Sequence, residues 1–232
     1  MTEDYRQNRL LAALPPAEYE ELAPALEPVS LDLGRILYEP PDPIPHVYFP
    51  TTCLISFIAE LPDGSGAEVG LVGCEAMAGV EVILGAEQAV KVATVQGAGH
   101  ALRLKAEQLR AAFARGGRLQ AYLLRYTHAL MTQISASVVC NIRHNIDQRL
   151  ARWLLMYQDR VGADEFYLTH EFMANMLGIR RAGVSEVAKR LQQAGVVAYD
   201  RGRFRILNRP GLEAHVCECY RTVRAEFDRL YT

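Results

Sequence analysis

Arg180, Arg181, Ser185, Glu186 and Lys189 stand close together in LTHEFMANMLGIRRAGVSEVAKRLQQAGVVAYDRGRFRIL, residues 168–207. Guanidinium, hydroxyl, carboxylate and ammonium groups on one short basic helix are the groups that read base edges and hold phosphates. Arg181, near the helix start where side chains reach deepest, is the candidate for bidentate pairing with guanine O6 and N7. Arg180 suits a base or a phosphate, and Ser185 a short hydrogen bond to either. Lys189 and Arg190 suit the phosphate backbone, which positions a protein without specifying sequence. Glu186 either accepts from cytosine N4 or orients a neighbouring arginine. The competing reading of each residue is a solvated helix position.

The surrounding pattern supplies what would position these groups. Thr169 is a candidate N-cap for a helix starting at His170, and Phe172, Met173, Met176 and Leu177 give that helix a buried side. Gly178 falls where a tight turn needs a small or left-handed residue. Val184, Val187, Ala188 and Leu191 form the inner face of the next helix, leaving Gly183 with the polar residues on the outer face. After Gly195, VVAYDRGRFRIL predicts a hairpin turning at Asp200-Arg201-Gly202, with Arg201, Arg203 and Arg205 set to lie against phosphates. The whole reads as a helix-turn-helix with a wing.

The charge distribution agrees. The formal net charge of the 232 residues is −2, yet Glu18 to Glu87 carry 13 acidic residues and one basic residue, and Glu171 to Arg209 carry eight basic and three acidic ones. Such asymmetry suits a two-part chain with one nucleic-acid-facing module. MTEDYRQNRL does not read as a signal peptide, and no uncharged apolar run approaches the roughly 18 residues of a membrane helix. The expectation is a cytoplasmic protein with no membrane partner.

Upstream, residues 3–26 read as helical, broken at Pro15-Pro16. From Val29 to Leu104 the runs HVYFP, CLISFIAEL, AEVGLVG, VKVATVQ and HALRL alternate with turn signals such as PPDPIP and PDGSG, which predicts a β-barrel or sandwich. Leu119, Leu123, Tyr126, Leu130, Ile134 and Val138 then recur at helical spacing along about 25 residues, roughly 37 Å. This stripe predicts a dimerisation face against a second copy of the same helix; packing within one chain is the alternative. Asn141–Asn145 mark a boundary, and Leu150, Trp153, Leu154 and Tyr157 predict the core of the second module. A last helix from about Gly211 to Tyr231 carries Tyr220, Val223, Phe227 and Leu230, expected to pack on its own domain. The expected domains are residues 1–117, 118–145 and 146–232.

Cys53, Cys74, Cys140, Cys217 and Cys219 do not suggest a disulfide framework. Cys217 and Cys219 form a CxC pair without further close ligands, so no metal is expected. None of His46, His100, His128, His144, His170 and His215 stands out as a haem ligand, and no cofactor is expected. HEFMA lacks the second histidine of a zinc-hydrolase motif, and neither a phosphate-binding loop nor a nucleophile elbow is present, so an enzyme is not expected.

The chain as a whole resembles the Crp/Fnr superfamily of bacterial transcription regulators. The resemblance is strongest over LTHEFMANMLGIRRAGVSEVAKRLQQAGVV and GRFRIL, and VYFPTTCLISF is similar to less typical members. It implies an α+β chain: an N-terminal cyclic-nucleotide-binding-like β-barrel (double-stranded β-helix or jelly roll), a long dimerisation helix and a C-terminal winged helix-turn-helix. By resemblance, Arg181 takes the place of the family's recognition arginine. Ala182 stands where many members carry a cytosine-contacting glutamate, and Glu186 where many carry another arginine, so the operator should differ from the family's best-known palindrome. The phosphate cassette falls on Gly79-Val80 and Ala89-Val90, without its glutamate and arginine. Lys91 should point to the opposite face from Val90. A buried phosphate without a charged partner is costly, so cyclic-nucleotide binding is not expected. The resemblance implies a homodimer on double-stranded DNA, contact with RNA polymerase for an activator, and an unidentified small-molecule effector. The alternative is a small-molecule-binding or protein-interaction module of the same fold that no longer binds DNA.

Overall fold

The computed structural model describes residues 5–63 and 65–232. Residues 3 and 4 of the expected N-terminal helix and Gly64 of the PDGSG turn lie outside the described residues.

Prolines divide the first segment. Short helix α1 (Arg9–Ala12) ends before Pro15, and Pro16 opens α2 (Pro16–Leu22), the position where its missing N–H costs nothing. Asn8 caps α1 by accepting from the Leu11 N–H. Its amide donates to the Pro50 and Ala76 carbonyls, so this buried side chain fastens the segment to the strands that follow.

Those strands are β1 (Glu27–Leu31), β2 (Ile36–Tyr38), β3 (His46–Pro50), β4 (Leu54–Glu60), β5 (Gly66–Val72), β6 (Val92–Gly97) and β7 (Gly99–Lys105). They form two antiparallel sheets, β1-β7-β3 and β2-β6-β4-β5. Register shifts in β4 at Leu54/Ile55 and Phe57/Ile58 bend that strand. Phe49, Ile55, Phe57, Val95 and Leu104 share one core between the sheets. Among the described residues the ladders do not close into a continuous barrel, so the β-region is a two-sheet jelly roll. The short, proline-bearing EPVSL of β1 and the three-residue β2 are not among the runs that the sequence pattern singles out.

Helix α3 (Ala106–Ala114) leads into the long α4 (Gly117–Arg143, 27 residues). Here the structure corrects an expectation. Leu119, Leu123, Tyr126 and Leu130 are buried in the jelly-roll core of their own chain, with Tyr126 donating to the Met77 carbonyl. They cannot form a face between copies. Ile134 is half-buried against the same core, and Val138 remains exposed at 52 %.

The chain then forms α5 (Ile146–Val161), β8 (Glu165–Tyr167), α6 (His170–Leu177), α7 (Arg181–Gln193), β9 (Val197–Asp200), β10 (Arg203–Ile206), α8 (Arg209–Glu213) and α9 (Glu218–Asp228). A capping box between Asn145 and Gln148 starts α5 directly after α4. Leu150, Trp153, Leu154 and Tyr157 are buried as expected, but Leu54 and Leu71 of the jelly roll join the same cluster. Polar contacts fix this seam. Glu68 of β5 accepts from Trp153 Nε1 at 2.9 Å and from Ser56 Oγ at 2.8 Å. Arg160 of α5 donates to the Leu71 carbonyl and to Gln133 of α4, and pairs with Glu75.

Helix α9 packs on its own domain, as expected, and also on the jelly roll. Tyr220 lies in the second cluster, whereas Val223, Phe227 and Leu230 lie in the jelly-roll core. Tyr231 donates its hydroxyl to the Glu75 carbonyl.

Candidate nucleic-acid interface

Local chemistry builds the two-helix unit. Thr169 Oγ1 accepts from the Phe172 N–H at 3.1 Å, satisfying one of the free donors at the start of α6. Met173, Ala174, Met176 and Leu177 are buried, while Phe172 is only half-buried. Gly178 ends α6 in the left-handed region, φ 60° and ψ 41°, where a Cβ would be strained. Arg180 occupies the extended N-cap position of α7. Val184, Val187, Ala188 and Leu191 then turn inward as the spacing predicts.

This leaves one polar face. Arg180, Arg181, Glu186 and Lys189 are exposed, and none of them forms an ion pair among the described residues. Gly183 is half-buried, and a Cβ there would meet only ordinary contacts with Ile146 and Ile179, so packing does not demand glycine. Ser185 is not free: its hydroxyl is 2.8 Å from His170 Nδ1 and donates to the Arg181 carbonyl at 3.2 Å. His170 stacks on Tyr199, with ring centroids 4.2 Å apart. Burial, and then the nearby Arg181 charge, push its pKa below the usual histidine value.

Two expected groups are otherwise engaged. Arg190 makes a two-point pair with Asp147, at 2.7 and 2.8 Å, tying α7 to the first turn of α5. Thr169 uses its oxygen in the cap. The sequence pattern missed the Arg190 pair because its partner lies 43 residues away.

The wing follows the hairpin pattern. Arg201, at φ 45°, and Gly202, at φ 88°, turn the chain between β9 and β10, as a tight two-residue hairpin turn requires. Strand alternation buries Phe204 and Ile206 and turns Arg203 and Arg205 outward. Arg203 lies 3.7 Å from Glu165 of β8 in an exposed pair. The outer face of α7 and the outward arginines of the wing thus present exposed guanidinium and ammonium groups to solvent.

The structure also gathers a group that the sequence pattern separates. Cys140 and His144, one helical turn apart at the end of α4, meet Cys217 and Cys219 at the start of α9. The CxC pair is therefore not without further ligands. The C-x-x-x-H spacing of residues 140–144 was the available signal.

Residues 148–215 match the family of the Crp-like helix-turn-helix domain. None of the curated proteins matches the chain. Among solved structures, FixK2 from Bradyrhizobium japonicum is similar at 17 % identity, covering 83 % of this chain and 98 % of that one, with a TM-score of 0.71. CLP, described as a c-di-GMP-responsive global regulator of Xanthomonas campestris, is similar at 14 % identity over 83 % and 99 %, with a TM-score of 0.67. A CRP-family transcriptional regulator from Thermus thermophilus, TTHB099, is similar at 19 % identity over 81 % and 95 %, with a TM-score of 0.65. Among the described residues no helix is long and apolar enough to cross a membrane. Residues 148–215 thus carry a Crp-like helix-turn-helix domain, and the chain as a whole has the fold of these solved structures.

Proposed function

We propose that the protein is a cytoplasmic, homodimeric transcription regulator that reads an inverted repeat in double-stranded DNA. The observation that carries this reading is the outer face of α7, where Arg180, Arg181, Glu186 and Lys189 are exposed and form no ion pair among the described residues, together with the outward arginines of the wing. Arg181 reads base edges, with Arg180 and Glu186 beside it; Lys189, Arg201, Arg203 and Arg205 hold phosphates. Arg190 and Ser185 support the helix through Asp147 and His170 and contact DNA only by exchanging those partners. Gly183 lets the backbone of α7 approach the groove, and Thr169 fixes the start of α6. In this reading the sensor domain is residues 1–117, the dimerisation helix and hinge 118–145, and the DNA-binding domain 146–232.

The dimer face differs from the stripe first expected. Leu124, Met131 and Val138 recur at seven-residue spacing on the side of α4 turned away from the jelly roll. They are 50 %, 62 % and 52 % exposed, with Ile142 beyond them at 73 %. A seven-residue apolar repeat suits packing against the same helix of a second copy, and Ile134 sits at its edge. Two copies would place their reading helices in successive major grooves, about 34 Å apart.

An effector, in this reading, is a small molecule other than a cyclic nucleotide. Val90 is exposed and Lys91 is turned inward, where it is already paired with Glu81 and lies 5.0 Å from the Phe57 ring centre. The cationic group inside the roll is thus neutralised by the chain itself. Effector binding would shift a population of dimers toward the DNA-competent arrangement. Contact with RNA polymerase belongs to an activating role.

The test is selection from a random duplex library with the purified protein and no added ligand. Enrichment of a two-fold symmetric site supports the reading. If neither the protein alone nor the protein with a metabolite pool enriches any sequence, the chain is a module of this fold without DNA binding.

A further inference from the structure

The cluster at the end of α4 has the composition and dimensions of a metal site. The four candidate ligand atoms of Cys140, His144, Cys217 and Cys219 all lie within 4.8 Å of one another, and the three cysteines are buried. Cys140 Sγ is 3.6 Å from Cys217 Sγ, and Cys219 Sγ is 3.7 Å from His144 Nδ1. A tetrahedral zinc ion with metal–sulfur bonds of about 2.3 Å has ligand–ligand edges of about 3.8 Å. The separations therefore suit one ion at the centre. An iron–sulfur cluster would share the ligands among several metal atoms and spread them further apart.

Two further observations point the same way. His144 turns Nδ1 to the thiols, while its Nε2 lies 3.3 Å from the Glu218 carboxylate. A carboxylate on the far nitrogen is the usual means of orienting a metal-bound imidazole. The electrostatics are also matched. Arg149 and Arg152 are buried, form no ion pair with a carboxylate among the described residues, and each leaves its Nε without a hydrogen bond. Both lie within electrostatic reach of Cys140. A divalent ion bound by three thiolates and a neutral imidazole carries one net negative charge, the thiol protons having passed to solvent. Buried arginines beside it would be compensated by that charge.

We propose that Cys140, His144, Cys217 and Cys219 form a mononuclear Cys3His site for a thiophilic divalent cation of the zinc class. The site joins the last turn of α4 to the first turn of α9, so the ion clamps the end of the long helix, where the chain enters the reading domain, to the C-terminal helix.

The test uses the full chain, reduced and treated with chelator, then titrated with Co2+ alone. The expected result is one Co2+ per chain, with the visible bands of a tetrahedral site and thiolate-to-metal charge transfer, both displaced by one equivalent of Zn2+. Cys219→Ser and His144→Gln should weaken or alter that spectrum, and Cys74→Ser should leave it unchanged. If the ligand variants do not fold, the wild-type titration decides alone. An octahedral spectrum without charge transfer, sub-stoichiometric binding, or a Cys140–Cys217 disulfide that forms in place of metal binding overturns the proposal.

Discussion

Arg160 and Glu75 form a buried ion pair at 2.9 Å that joins α5 of the reading domain to the turn after β5 of the jelly roll. The guanidinium also donates to the Leu71 and Met156 carbonyls and to Gln133, and lies 5.0 Å from the Phe227 ring centre. Sheet, long helix, reading domain and C-terminal helix all meet on this one side chain. Removing either partner leaves the other charged and buried. Glu75→Gln or Arg160→Met should cost about 3–5 kcal/mol. Thermal unfolding followed by circular dichroism measures the loss; a shift within error of wild type would show that the pair does not hold the seam.

Glu68 gives the same seam a pH dependence. Burial raises its carboxyl from the usual 4.5 to about 7, against the opposing effect of the hydrogen bonds from Ser56 and Trp153. The folded protein thus holds this proton more tightly than the unfolded chain. The contribution to stability is complete below about pH 4.5 and is lost as pH rises through 7. Glu68→Gln keeps the Trp153 bond and removes the titration, so its stability relative to wild type should rise between pH 5 and pH 8 by on the order of 1–3 kcal/mol. Melting curves across that range check the sign, and parallel pH profiles for the two proteins would assign the titration elsewhere.

On the proposed DNA face, Arg181→Ala should weaken binding to the selected site by about 1–3 kcal/mol and relax preference at one base position. Lys189→Ala should weaken binding evenly across sequences and reduce the salt slope by about 1. Arg190→Ala should reduce affinity less than Lys189→Ala, because the Arg190 guanidinium is already held by Asp147. Fluorescence anisotropy at several salt concentrations separates these cases.

On α4, the division between inner and outer faces makes opposite predictions for neighbouring leucines. Leu123 is fully buried and Leu124 is half exposed. Leu123→Asp should unfold the chain. Leu124→Asp combined with Met131→Asp should leave a folded monomer. Light scattering with circular dichroism distinguishes the two, and a folded dimer from the double variant would place the interface elsewhere.

The reading unit was legible because its determinants are local. Thr169 caps three residues ahead, Gly178 takes the left-handed turn, and the α7 core follows helical spacing. The α4 stripe was legible as a stripe but not by partner, since periodicity marks an apolar face without naming what covers it. The Cys140–Cys217 approach spans 77 residues and the Arg160–Glu75 pair joins different modules. Only tertiary structure creates such contacts, and a single chain's residue order carries little trace of them.

Phe227 and Leu230, near the end of the chain, complete a core otherwise drawn mainly from residues between Leu10 and Leu130. A ribosome delivers those N-terminal strands first, but their core lacks its final side chains until α9 has emerged. The jelly-roll core is therefore shared with the last helix rather than closed within the N-terminal strands. A chain truncated before α9 would expose the apolar side of α4 that α9 covers.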